Sequence, residues 1–122
     1  MNIKKIGVVG LGYVGLPLAI EFGKKRNVVG YDIDENRINL LKKSKDPSLE
    51  VDEKELKKAI NLSFTSKKNE LEDCKIFIIT VPTPVDENNK PDLTILKNSS
   101  ETIATIIKKG DIIIYESTVY PG

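Results

Sequence analysis

The 122-residue sequence has no histidine, no tryptophan and a single cysteine. Without histidine a Ser-His-Asp triad is out of reach and the usual Cys/His metal constellations cannot form, and one thiol cannot close an internal disulfide. An excess of charge of one sign is missing too: 19 Lys and Arg stand against 18 Asp and Glu, a net charge of +1. That balance gives no broad basic face, so binding to nucleic acid or to an anionic membrane through bulk electrostatics is disfavoured. Long apolar runs are also lacking. The run at residues 76–79 is far below the roughly 18 residues needed to span a bilayer, and the start of the chain shows no apolar signal-peptide segment. The expectation is one domain in a cytoplasmic protein, with no nucleic-acid and no membrane partner, that meets its ligands at local sites.

What is present is an alternation of two periods. Residues 3–9 read as a strand on the β-branched Ile3, Ile6, Val8 and Val9, and after Gly10 the pattern turns helical, with Leu11, Val14, Leu18 and Phe22 at helical spacing. Pro17 sits early in that helix, where a local adjustment is expected. Residues 27–31 read as a second strand, 34–43 as a helix with Ile38 and Leu41 on one side, and 52–60 as a polar, solvated helix. A weak strand is expected at 62–65 and a strong one at 75–81, where no polar face is left. Residues 86–91 read as a turn-rich loop, and 93–109 as a helix with Leu96, Ile103 and Ile107 inward, stopped by Gly110. Residues 112–115 read as a further buried strand. Apolar strands alternating with amphipathic helices predict an α/β fold, a doubly wound parallel sheet of about five strands covered on both faces. A complete dinucleotide-binding domain of this type has six, so residues 1–122 are expected to be a fragment of a longer enzyme.

Gly10-Leu11-Gly12-Tyr13-Val14-Gly15 has the G-x-G-x-x-G spacing, a weak signal by itself in a chain with eight glycines. Context strengthens it. The motif follows a strand, opens a helix and is succeeded by Asp32 at the end of the next strand, close to the usual separation of about 20 residues. Gly10 permits the tight turn, Gly12 lets the backbone approach a pyrophosphate, and Gly15 lets helix and strand pack closely. The phosphates then sit at the helix N-terminus, where free amides and the helix dipole favour an anion. Asp32 accepts hydrogen bonds from the adenosine ribose and repels a 2′-phosphate, which predicts NAD over NADP. Arg37, one turn into the next helix, could instead accommodate a phosphate, or stack near the adenosine.

Two further loops, Val81-Pro82-Thr83-Pro84-Val85 and Tyr115-Glu116-Ser117-Thr118-Val119-Tyr120-Pro121-Gly122, follow the strands at 75–81 and 112–115. The carboxyl ends of parallel strands are where ligands bind in such sheets.

Together with Leu16-Pro17-Leu18-Ala19 and Lys90-Pro91-Asp92-Leu93, these segments resemble the N-terminal domain of the UDP-glucose/GDP-mannose dehydrogenase family, over essentially the whole chain. The ending at 115–122 is more similar to the UDP-N-acetylhexosamine 6-dehydrogenases of polysaccharide biosynthesis than to the UDP-glucose enzymes. The resemblance implies an oxidoreductase that converts the C6 hydroxymethyl of a UDP-sugar to a carboxylate with two NAD, through an aldehyde held as a thiohemiacetal on a catalytic cysteine. It implies that Gly10, Leu11, Gly12, Tyr13, Val14 and Gly15 bind the pyrophosphate, Asp32 and Arg37 the adenosine end, and Thr83 with Pro84 the middle of the cofactor. Ser117 and Thr118 would lie by the nicotinamide, Thr118 being the one catalytic candidate through a hydroxyl that positions a water or a carboxylate. The full-length enzyme is expected to be a homodimer that takes a UDP-sugar substrate.

The family's nucleophilic cysteine, its lysine and its sugar-binding domain have no counterpart in these residues, so the chain alone is expected to bind NAD without turnover. Cys74, ahead of an apolar strand, shares none of the catalytic context and reads as a small buried thiol. The basic stretches 24–26 and 57–58 read as solvated helix faces. A different reading, a stand-alone dinucleotide-sensing regulatory module, accounts for the length but leaves the segments at 81–85 and 116–122 unexplained.

Overall fold

Short runs of Ile, Val and Phe without a polar face can be stable only between two layers, and the amphipathic stretches between them supply those layers. The computed structural model of the protein describes residues 5–12, 14–43, 53–81, 87–88, 90 and 93–116. Strand β1 (Ile6–Val9) leads into helix α1 (Gly15–Gly23), and β2 (Val28–Tyr31) is followed by α2 (Glu35–Lys42) and α3 (Glu53–Lys58). Strand β3 (Leu62–Thr65) continues through a 3₁₀ turn (Lys68–Leu71) to β4 (Ile76–Ile79), and α4 (Thr94–Ala104) connects β4 to β5 (Ile112–Tyr115). The five strands are all parallel, in the order β3-β2-β1-β4-β5. This is the expected Rossmann-type doubly wound sheet, in which the direction of winding reverses between β1 and β4.

Each face of the sheet has its own core. Ile6, Val8, Val28 and Ile78 pack under α1, α2 and α3, against Leu16, Ile20, Ile38, Leu41 and Leu56. On the other face Val9, Val29, Phe77 and Ile79 pack against Leu71 of the 3₁₀ turn and Ile103 and Ile106. Cys74 joins this second core as the expected buried thiol, and burial pushes its pKa up to about 11.

Several elements depart from the sequence reading. The buried face of α1 is Gly15, Leu16, Ala19, Ile20 and Gly23, whereas Val14 is exposed and Leu18 and Phe22 lie on its flank. The helix begins only at Gly15, so Leu11 is buried from the loop ahead of it and is no part of the helical stripe. Pro17 is the third helical residue, and on either side of it Leu16 N donates to Gly12 O at 3.1 Å and Leu18 N to Val14 O at 3.2 Å, so the i→i−4 bonding continues past it. Helix α3 is not simply solvated, because Leu56 and the following Ala59 are buried. Lys24 is likewise no free surface charge; its Nζ lies 2.9 Å from both Glu21 Oε1 and Glu55 Oε2, strapping α1 to α3. These hydrogen bonds raise the Lys24 pKa, and the bonds from Lys24 and Lys58 lower that of Glu55.

Helix α4 stops at Ala104, short of the expected 109, and Ile106 and Ile107 complete the apolar pattern from a turn. Thr102 Oγ1 donates to Asn98 O and Thr105 Oγ1 to Thr102 O, side-chain bonds that compete with the helical ladder at this end. Gly110, at φ +92°, turns the chain into β5 instead of capping the helix directly. Strand β5 is not buried as expected: Ile112 is 46% and Ile114 39% exposed. Both side chains share the sheet face of α1, where no described element lies over them.

A candidate dinucleotide site at the sheet switch point

The turn after β1 is fixed by residues from the strands on either side. Gly10 takes φ +96°, a conformation that a side chain resists, and a Cβ there would press on Val81. Its amide donates to Tyr31 O at 2.8 Å, and its carbonyl accepts from Thr80 Oγ1 at 2.6 Å. A Cβ on Gly15 would run into Gly10 O and Thr80 Oγ1. The third glycine therefore leaves room for this hydrogen bond as well as for the approach of the helix. Gly12 differs, since a Cβ there would meet nothing within 4 Å. Its bare backbone faces open space.

From the other side, both oxygens of the Asp32 carboxylate are engaged by backbone amides: Oδ2 accepts from Leu11 N and Oδ1 from Asp34 N, each at 3.0 Å. A carboxylate held in this way keeps further lone pairs for a ligand. Arg37 Nε donates to the Leu11 carbonyl at 2.7 Å, so Arg37 leans onto the glycine loop. Asp34 caps α2 by accepting from Asn36 N and Arg37 N, which sets the start of the helix that carries Arg37.

Between these parts and α4 lies a crevice of about 440 Å³, lined by Gly10, Leu11, Gly12, Asp32, Ile33 and Arg37, with Val81 beside Gly10 and Ile95, Asn98 and Thr102 of α4 as the opposite wall. Its size and mixed lining suit a small-molecule site. Tyr31 lines it too, and burial, assisted by the Asp32 charge, raises its phenol pKa. A second groove of about 540 Å³ runs along α1 above β5, with Val14, Pro17 and Glu116 among its lining residues. The glycine loop thus lies between two openings. Among the described residues no side chain caps α1 and no acid occupies its first turn; Leu16 N is taken by Gly12 O at 3.1 Å, and the positive end of the helix dipole otherwise meets no described anion.

Of the residues singled out in the sequence, the structure brings Gly10, Leu11, Gly12, Gly15, Asp32 and Arg37 close together and places Val14 at the head of α1. Tyr13, Thr83, Pro84, Ser117 and Thr118 lie outside the described residues. Sequence reasoning missed Thr80, Asp34 and the α4 wall. A hydroxyl closing an otherwise apolar strand at the ligand-binding rim was the available signal for Thr80; an Asp one residue before a helix was the signal for Asp34.

The sequence pattern of the UDP-glucose/GDP-mannose dehydrogenase family, NAD binding domain, matches residues 4–122. The chain belongs to this family. NAD is the cofactor of the family domain. The chain is 62% identical over 122 residues to the UDP-N-acetyl-D-glucosamine 6-dehydrogenase of Pseudomonas aeruginosa, covering 100% of this chain and 29% of that protein. It is 54% identical to the Salmonella typhi enzyme of the same name, over 97% of this chain and 28% of that protein. Among solved structures, the UDP-D-ManNAc dehydrogenase of Pyrococcus horikoshii superposes with a TM-score of 0.81 at 36% identity, over 97% of this chain and 29% of that one. A ternary complex of GDP-mannose dehydrogenase from Pseudomonas aeruginosa gives a TM-score of 0.82 at 29% identity, over 96% of this chain and 29% of that one. The chain therefore spans less than a third of the length of these dehydrogenase relatives.

The residues present fit the dinucleotide. A helix N-terminus with no described side-chain cap meets a glycine whose Cβ position is open, and a prearranged carboxylate stands one strand away.

Proposed function

We propose that residues 1–122 form the cofactor-binding part of a UDP-N-acetylhexosamine 6-dehydrogenase, which oxidises the sugar C6 hydroxymethyl to a carboxylate. That conversion removes four electrons as two hydrides and takes one oxygen from water, so two NAD are consumed for each sugar. When bound, NAD supplies the hydride acceptor. The work of this chain is to hold and orient it. The backbone of Gly10, Leu11 and Gly12 and the first turn of α1 receive the pyrophosphate, with Tyr13 and Val14 completing the loop and Gly15 leaving room for it. Asp32 accepts the adenosine ribose hydroxyls and disfavours a 2′-phosphate. Arg37 braces the adenosine side, Thr83 and Pro84 meet the middle of the cofactor, and Ser117 and Thr118 approach the nicotinamide, where the Thr118 hydroxyl would orient a water or a catalytic carboxylate.

The single observation that carries the reading is the fixed Asp32 carboxylate, hydrogen-bonded to the glycine loop at Leu11 N and lining the crevice. The choice among UDP-sugars leans on the identity to the two UDP-N-acetyl-D-glucosamine 6-dehydrogenases. Because the chain spans 29% of the first of these, and because Cys74 is fully buried with a raised pKa, the nucleophile and turnover belong to the remainder of the enzyme. Calorimetric titration tests this. Saturable binding of NAD, much weaker binding of NADP and no oxidation of UDP-N-acetylglucosamine by the 122-residue chain are expected; absence of NAD binding, or turnover by this chain alone, defeats the proposal.

A further inference from the structure

Thr80 follows β4 and is 6% exposed. Its backbone amide already donates to Val9 O at 2.9 Å, so the strand ladder does not need its hydroxyl. That hydroxyl approaches Gly10 O at 2.6 Å and Val9 O at 3.2 Å, and with one proton to give it favours the nearer carbonyl. Gly10 O and Leu11 N are the two polar ends of one peptide unit, which is planar and points them in opposite directions. Leu11 N donates to Asp32 Oδ2. A single peptide unit is thus gripped from both sides, by Thr80 beyond β4 and by Asp32 beyond β2.

The grip answers a problem that the glycine creates. At φ +96° Gly10 makes the turn possible, but a residue without Cβ resists rotation of the adjoining peptide only weakly. Two hydrogen bonds at opposite ends of the Gly10–Leu11 peptide remove that freedom and fix the direction in which the next backbone, at Gly12, faces the crevice.

We infer that Thr80 is a positioning residue for cofactor binding, which pre-orients the Gly10–Leu11 peptide so that the loop receives the diphosphate without rearranging. This rests on the reading of the crevice as the NAD site. The test is titration of the 122-residue chain and its T80V, T80S and D32N variants with NAD, ADP-ribose and adenosine, alongside thermal melts without ligand. T80V keeps the shape and removes the donor, so NAD and ADP-ribose should bind about tenfold more weakly. T80S keeps the donor and should stay within about twofold of wild type. Adenosine, which has no diphosphate, should respond to D32N and not to T80V. D32N combined with T80V should lose less than the product of the two separate losses, because both act on one peptide. If T80V does not fold, T80A replaces it with the same expectation. Wild-type binding that D32N weakens and T80V leaves unchanged overturns the role of Thr80 alone, as does T80S binding as weakly as T80V. No NAD binding by wild type removes the underlying site reading with it.

Discussion

Arg37 Nε donates to the carbonyl of Leu11 across 2.7 Å, joining the second helix to the first loop by a bond between residues far apart in sequence. The same Leu11 gives its amide to Asp32. The loop after β1 is therefore held by two residues of the segment that follows β2, and a change in either reaches the glycines. Arg37→Lys keeps the charge but loses the planar donor, and about a three- to tenfold weaker NAD affinity is expected. NADP should remain the poorer ligand, since Asp32 stays in place. Parallel titrations of the two cofactors check this; a variant that prefers NADP would show that Arg37 sets the choice.

Asp32→Asn retains the size and one acceptor oxygen while removing the charge. NAD should bind at least about tenfold more weakly, from the loss of charge-assisted bonds, and the gap between NAD and NADP should narrow because the repulsion of a 2′-phosphate is gone. Dissociation constants for both cofactors, measured at two salt concentrations, report the two effects separately. An unchanged ratio would take Asp32 out of cofactor selection.

Gly15→Ala places a methyl against Gly10 O and Thr80 Oγ1. Neither can yield without breaking their hydrogen bond, so a loss of about 1–3 kcal/mol in stability is expected, together with loss of NAD binding. Gly12→Ala meets open space and should leave the melting temperature nearly unchanged while still weakening NAD, because its methyl would occupy the ligand's side. Chemical denaturation paired with titration separates the two variants. Equal melting temperatures for both would contradict the packing assigned to Gly15.

Cys74 gives a pH prediction. Burial raises its folded pKa from 9.0 to about 11, so the folded chain holds the proton more tightly than the unfolded chain does. The associated stability is fully present below about pH 9 and is lost as the pH rises toward 11. Urea denaturation of wild type and Cys74→Ala between pH 8 and about 11 should show a steeper decline for wild type. Taking the difference between the chains cancels the lysines that titrate in the same range. The thiol should also resist alkylation at neutral pH in the folded state.

The glycine loop and its acid were legible in the sequence because their constraints are local. A tight turn, an open backbone and a carboxylate at a strand end leave marks in residue type and spacing. The strands at 28–31, 62–65 and 76–79 were legible from period and β-branching. Burial was harder to read, since it depends on what lies above a residue. The apolar run at β5 resembles that of β4, yet Ile114 is partly bare while its neighbour Ile78 is covered by α1. Leu56 hides in a helix of charged residues, and its burial follows from where α3 lands beside α1. Thr80 was legible only in part: a hydroxyl ending an apolar strand marks the position, but its partner, a carbonyl 70 residues earlier in the chain, is set by the fold.

The strict pairing of β1 with β2 and β4 carries an evolutionary consequence. Val9 stands level with Tyr31 and with Ile79, so Gly10, Asp32 and Thr80 emerge side by side as the next residues of their strands. Inserting one residue into any of these strands would advance its end by about 3.3 Å and turn its side chains to the opposite layer. The three partners would then miss one another. Descendants of this chain are free to lengthen the connections between strands and helices, but the strands themselves behave as ratchets whose tooth spacing cannot drift.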